Sequence, residues 1–157
     1  MAVLPKFAML THLDLGSVSS KVLLGLLQKS PVLNTLVFKV GNYFVIILQH
    51  LIYIFSYSNF VGLFNHQGIL KFNQELLNSA VVPDCLTSTL QVVKFENVYG
   101  TKHELFLAKY FMENGMVLER MSFSCVSWCK EELIEEFKEK LYSFKKGVSF
   151  AILEFRY

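Results

Sequence analysis

The template L-x-x-L-x-L, with any apolar side chain admitted at each L, recurs five times along the chain. The matches are Leu10-Leu13-Leu15, Leu33-Leu36-Phe38, Leu90-Val93-Phe95, Leu118-Met121-Phe123 and Phe150-Leu153-Phe155. The last three positions of each match alternate apolar, variable, apolar, which is the period of a strand with one buried face. Between the matches the period lengthens to that of a helix. Ser19 or Ser20 can cap a helix carrying Leu23, Leu24, Leu26 and Leu27, and Ser30-Pro31 stops it. Thr101 and Glu104 have the spacing of a capping box. They open a helix carrying Leu105, Ala108, Phe111 and Met112, closed by Asn114-Gly115. Ser127 can cap a further helix, with Glu131 and Glu132 near its positive end and Leu133, Phe137, Leu141 and Phe144 as its apolar stripe. A strand, a crossover helix and a second strand make a parallel pair. The pattern therefore predicts an α/β fold, with parallel strands on one side and helices on the other.

The matches start 23, 57, 28 and 32 residues apart. Leucine-rich repeats run about 20–29 residues. Two intervals fit that period, the last is slightly long, and 57 does not fit. The predicted architecture is a leucine-rich-repeat-like stack of parallel strands with helices on one face, carrying an atypical insertion.

Charge locates the insertion. Residues 1–39 hold four Lys and one Asp, residues 71–157 hold eleven basic and twelve acidic side chains, and residues 40–70 hold none. Three readings of Val40–Gln67 compete. Tyr43–Phe64 is long enough for a membrane-spanning helix, although Gln49, His50, Ser56, Ser58 and Asn59 interrupt it. Val45-Ile46-Ile47-Leu48 and the aromatics suit buried strands. The third reading is that the segment is foreign to the fold. Without its 28 residues the interval of 57 becomes 29, inside the repeat range. Lys39-Val40 and Gln67-Gly68 also have the look of translated splice junctions. Arithmetic favours this third reading, a retained-intron product or a gene-model artefact. The expected division is a repeat-like segment over 7–39, an uncharged apolar insertion over 40–67 and a further unit over 81–155.

Composition narrows the function classes. The chain has 157 residues, enough for one domain, and 53% are hydrophobic and 18% charged, which excludes a disordered chain. A net charge of +2 does not call for a nucleic-acid partner. Three cysteines do not make a disulfide framework. Met1–Lys6 lacks the basic start and apolar core of a signal peptide. A cytoplasmic or nuclear location follows, with a membrane as the lesser alternative.

Candidate chemistry is sparse. Cys125 and Cys129 are four apart, but zinc needs a second pair, and Cys85 is the only other thiol. Packing roles are expected for Cys125, just after the fourth strand, and Cys129, at the helix start. His12, His50, His66 and His103 are scattered, and His103 in a first helical turn is expected to be solvated. No Gly-x-Ser-x-Gly elbow, phosphate-binding glycine loop or H-E-x-x-H is present. No enzyme activity, cofactor or metal is expected. Glu131, Glu132, Glu135, Glu136 and Glu139, with Lys130, Lys138 and Lys140, read as a solvated helix face in which Glu136 and Lys140 pair at i,i+4. Trp128 reads as a packing residue at the helix start, with interface anchor as the alternative. The strand positions that point away from the helices are His12 and Asp14, Thr35 and Val37, Val92 and Lys94, Arg120 and Ser122, and Ile152 and Glu154. In a parallel stack they line one surface. Its mixture of charge, hydroxyl and apolar groups suits a protein-binding face; an ordinary solvated face is the plainer alternative.

Val82-Pro83-Asp84-Cys85-Leu86, Leu90-Gln91-Val92-Val93-Lys94-Phe95, Tyr99-Gly100, Tyr110-Phe111-Met112-Glu113-Asn114-Gly115 and Val117-Leu118-Glu119-Arg120-Met121 succeed one another at characteristic spacing. In these stretches residues 81–155 resemble the FBD domain of plant F-box/FBD/LRR-repeat proteins. Residues 7–38, with Leu10-Thr11-His12-Leu13-Asp14-Leu15 and Ser30-Pro31-Val32-Leu33, resemble the last leucine-rich repeats before that domain. The resemblance implies a family in which an N-terminal F-box docks to the adaptor of a cullin-type ubiquitin ligase while the repeats hold a target protein. With its start read as lying inside the repeats, this chain is expected to carry no F-box. The expectation is a non-catalytic recognition module resembling the target-binding end of such an adaptor, without direct ligase-adaptor contact. The alternatives are a membrane-anchored chain held by residues 43–64, or a truncated product without function. The uncharged segment departs from the short connection expected in such relatives.

Overall fold

The computed structural model describes residues 5–16, 18–39, 74–127, 129–145 and 152–157. The elements run β1 (His12–Leu15), α1 (Ser20–Lys29), β2 (Thr35–Lys39), α2 (Gln74–Ser79), α3 (Asp84–Ser88), β3 (Val92–Val98), α4 (Lys102–Asn114), β4 (Arg120–Cys125), α5 (Glu131–Lys145) and β5 (Ile152–Arg156). The five strands form one sheet in the order β1-β2-β3-β4-β5, and every neighbouring pair is parallel. This is the α/β, leucine-rich-repeat-like stack that the template predicts. β2 and β3 are immediate neighbours in full register although 57 residues separate their template matches. Residues 40–67, and with them the membrane segment 43–64, lie outside the described residues. So do Phe150, Trp128, His50 and His66. No helix among the described residues is long and apolar enough to cross a membrane.

Strand register converts the template into layers. Leu13, Leu36, Val93, Met121 and Leu153 are aligned across the sheet, and so are Leu15, Phe38, Phe95, Phe123 and Phe155. Both rows belong to the core. In the second row four phenyl rings stack in sequence: Phe38 on Phe95 at 5.2 Å, Phe95 on Phe123 at 5.1 Å and Phe123 on Phe155 at 5.1 Å between centroids. Parallel strands lie about 4.8 Å apart, so in-phase aromatic positions arrive at stacking distance without further adjustment. Full burial contributes about 1.5–3 kcal/mol for each of Phe38, Phe95 and Phe123, and less for the partly buried Phe155. At the open end of the row, the Lys138 ammonium lies 5.2 Å from the Phe155 centroid and 4.6 Å from that of Tyr157.

The helices lie along the other layer, each against the next: α1 beside α2 and α3, α3 beside α4, and α4 beside α5. Ser19 is the N-cap of α1, its hydroxyl accepting from Val22 N at 3.3 Å, and Leu23, Leu24 and Leu27 are buried. The capping box of α4 is complete: Thr101 accepts from Glu104 N and Glu104 reaches back to Thr101 N. Leu107 joins Ala108, Phe111 and Met112 in its buried stripe, while Leu105 is only partly covered.

Two local expectations for α5 are corrected. Ser127 does not cap it, because the helix begins only at Glu131, from the Lys130 carbonyl, which accepts from Leu133 N and Ile134 N. The buried stripe is Ile134, Phe137 and Leu141, and Leu133 is exposed. Successive helical residues are about 100° apart, and the rotation of α5 is set by Phe137, whose ring meets Phe123 edge-on at 5.5 Å. At the top of β3 the register shifts between Glu96 and Val98. Asn97 takes the shift with φ 60°, a left-handed conformation that asparagine tolerates better than most residues. Gly100 follows with φ 77°; a Cβ there would lie 3.0 Å from the Leu133 carbonyl oxygen, so glycine lets α5 approach.

Candidate functional site

The ten outward strand positions come together as two straight rows. His12, Thr35, Val92, Arg120 and Ile152 are register partners in the first, and Asp14, Val37, Lys94, Ser122 and Glu154 in the second. Lys39, Glu96, Ser124 and Arg156 form a third row that the template did not reach. The signal for it was present: it is the same alternation carried two residues further. The rows are not uniformly open. Ile152 is 55% exposed, whereas Val37 is 4% and Ser122 7% exposed. In register, Val37 lies between Asp14 and Lys94, and Ser122 between Lys94 and Glu154.

Charge is settled at both flanks. Asp14 Oδ1 meets His12 Nε2 at 2.7 Å and Asp14 Oδ2 meets Lys39 Nζ at 3.0 Å. The Lys39 ammonium, then the His12 ring, hold the Asp14 carboxyl below its ordinary range, and Asp14 raises Lys39 in return. At the other flank Glu154 takes Arg120 Nε at 3.4 Å and Arg156 Nη2 at 3.7 Å. These pairs are exposed enough for solvent to screen them, so they add little net stability; their effect is to fix the positions of charge. Lys94, at the centre, makes no ion pair among the described residues. Among the described residues the face thus presents one uncommitted cation, between a valine and a serine.

The residue before each strand ties the repeats together. The Thr11 carbonyl accepts from Asn34 N and Thr35 N, that of Asn34 from Gln91 N and Val92 N, and that of Gln91 from Glu119 N and Arg120 N. Along this rim Thr11, His12, Val32, Asn34, Thr35, Ser88, Thr89 and Gln91 enclose a shallow depression of about 520 Å³, open to solvent. Sequence reading did not find it, because its two halves are separated by the longest interval in the chain.

The interior groups behave as packing residues. Cys85 is buried, donates to Leu27 O at 3.5 Å, and burial pushes its thiol up to about 11. Burial also raises Cys125 and Cys129, the latter donating to Tyr99 O at 3.2 Å. A thiol held protonated is a poor nucleophile. Among the described residues no three His, Cys, Asp or Glu side chains converge as a metal site. His103 is half-buried rather than solvated, and burial lowers its pKa. Glu136 and Lys140 pair on the exposed side of α5 as the i,i+4 spacing predicts.

Comparison with known proteins falls on the same region. Residues 78–123 match the family model described as FBD. An F-box/FBD/LRR-repeat protein of Arabidopsis thaliana is 38% identical over 60 residues, covering 38% of this chain and 14% of that protein. A second from the same plant, named as a putative F-box/FBD/LRR-repeat protein, is 34% identical over 89 residues, or 55% of this chain and 20% of that protein. This chain spans a fifth or less of the length of these relatives. No solved structure matches. The chain carries an FBD match in its second half and is similar over part of its length to plant F-box/FBD/LRR-repeat proteins.

Proposed function

We propose that the chain is a non-catalytic protein-recognition module. The outer sheet face receives the target, through His12, Asp14, Thr35, Val92, Lys94, Arg120, Ile152 and Glu154, with the nearly buried Val37 and Ser122 forming the floor between them. The observation that carries the reading is the in-register alignment of these ten side chains on the face opposite the helices. A rigid sheet with charges pinned at its flanks loses little side-chain entropy on binding. Lys94 supplies the central cation, and the exposed Ile152 and the half-buried Val92 supply apolar contact. The relatives' names place them among F-box proteins; the role proposed for this stack is the target-binding end of such a ubiquitin-ligase substrate adaptor. Its parts are the repeat-like segment 7–39 and the FBD-like unit 81–155, in the cytoplasm or nucleus, with no nucleic acid and no cofactor.

The test is quantitative capture from plant extract with wild type, Lys94→Glu and, as a control on the exposed side of α5, Glu139→Lys. A partner retained by wild type and the control but reduced at least about tenfold by Lys94→Glu, the order expected for reversing a central charge, supports the face. Equal capture by all three overturns it, as does hydrolytic or transferase turnover by the purified chain.

A further inference from the structure

The depression at the strand-start rim has a lining unlike the rest of the face, and we infer that it seats an extended, uncharged stretch of polypeptide, gripped by its main chain through Gln91 and Asn34. This deepens the recognition function above and rests on it. The two carboxamides are already oriented. Asn34 Nδ2 donates to Gln91 Oε1 at 2.7 Å and, at 3.5 Å, to the Thr89 carbonyl. Thr35 Oγ1 donates to Asn34 Oδ1 at 3.1 Å. With its oxygen engaged, Gln91 keeps two N–H donors on Nε2, and Asn34 Oδ1 keeps a second lone pair. Among the described residues Gln91 Nε2 has no acceptor. A donor and an acceptor held side by side complement the C=O and N–H of a peptide unit.

The chemistry of the lining excludes the other ligand classes. It contains no Lys or Arg to hold an anion and no carboxylate to hold a cation. Its one titratable group, His12, is already bonded to Asp14, whose charge repels anions. No Phe, Tyr or Trp ring lines it for a sugar face to stack on. The floor carbonyls of Thr11, Asn34 and Gln91 are spent on the next strand's N–H groups, which leaves the side chains to do the binding. The depression is shallow and open to solvent, and suits a few extended residues laid along it. His12 and Thr35 belong both to the trough and to the first row of the face, so a peptide leaving it runs onto the face.

The experiment uses the full chain, isotopically labelled, and a mixture of capped hexapeptides drawn from Gly, Ala, Ser and Thr. The expected result is a dose-dependent shift of the Gln91 and Asn34 side-chain amide signals. Gln91→Ala should weaken binding by about five- to tenfold, the loss of one or two neutral hydrogen bonds. Gln91→Glu, which keeps the shape and removes the donor, should do the same and carries the test if the alanine variant does not fold. Absence of any shift at millimolar peptide overturns the inference, as does unchanged binding in the Gln91 variants. So does the same shift produced by methyl glucoside and not by the peptides. If peptide shifts persist while Lys94→Glu leaves partner capture untouched, the face reading falls and the depression stands.

Discussion

Glu104 has no exposed surface, yet its carboxylate accepts from Thr101 N at 2.9 Å and from Tyr99 N at 3.1 Å. Desolvation raises its pKa, outweighing the hydrogen bonds that favour the ionised form. The Thr101-x-x-Glu104 spacing announced the cap; nothing local announced that the glutamate would be fully covered, since the cover comes from the packing of other elements. Glu104→Ala leaves two N–H groups near the β3–α4 junction unpaired and should cost about 1–3 kcal/mol by denaturant unfolding. The sign of its pH dependence follows from the raised pKa. The native state holds the Glu104 proton more tightly than the unfolded chain, so the stability this group contributes is full below the ordinary glutamate pKa and declines as pH rises through the native value. The gap between wild type and Glu104→Ala should therefore narrow from pH 4 upward, flattening once Glu104 is ionised in both states; a widening gap would contradict this origin.

Elements show where local signals suffice and where they fail. Ser19 and the Thr101 box start their helices as their spacing predicts, because a cap is satisfied within one turn. Ser127 fails because α5 begins at Glu131, four residues on and out of reach of a cap at that position. The choice of Ile134 over Leu133 for the buried side of α5 is made by Phe123, a residue on another element. Gly100 belongs to the same junction. It needs a positive φ, and it leaves room for the Leu133 carbonyl. Gly100→Ala meets both restraints and should cost about 1–3 kcal/mol, read as a drop in thermal midpoint. Amide protection in α5 should fall more than in β1, because α5 is the element that the added Cβ pushes away.

Across the whole molecule, the in-phase template does most of the work. Four phenylalanines, from Phe38 to Phe155, stack because their strands are neighbours in register, not because they are near in sequence. The unbroken β2–β3 pairing makes a specific prediction about the long interval. A chain lacking residues 40–67 should keep its amide protection in β2 and β3, and its transcript counterpart would be a spliced message. Loss of protected β2 amides in that variant would show that the segment holds the sheet together. Periodicity by itself determined the five strands, their parallel order and the outward set from His12 to Glu154, since side-chain alternation is a property of the backbone. Tertiary structure alone decided that Val37 and Ser122 are nearly buried, that Asp14 and Glu154 each hold two cations, and that Asn34 meets Gln91. Those outcomes depend on strand register, which brings together side chains up to 57 residues apart, and no local pattern encodes which side chains will meet.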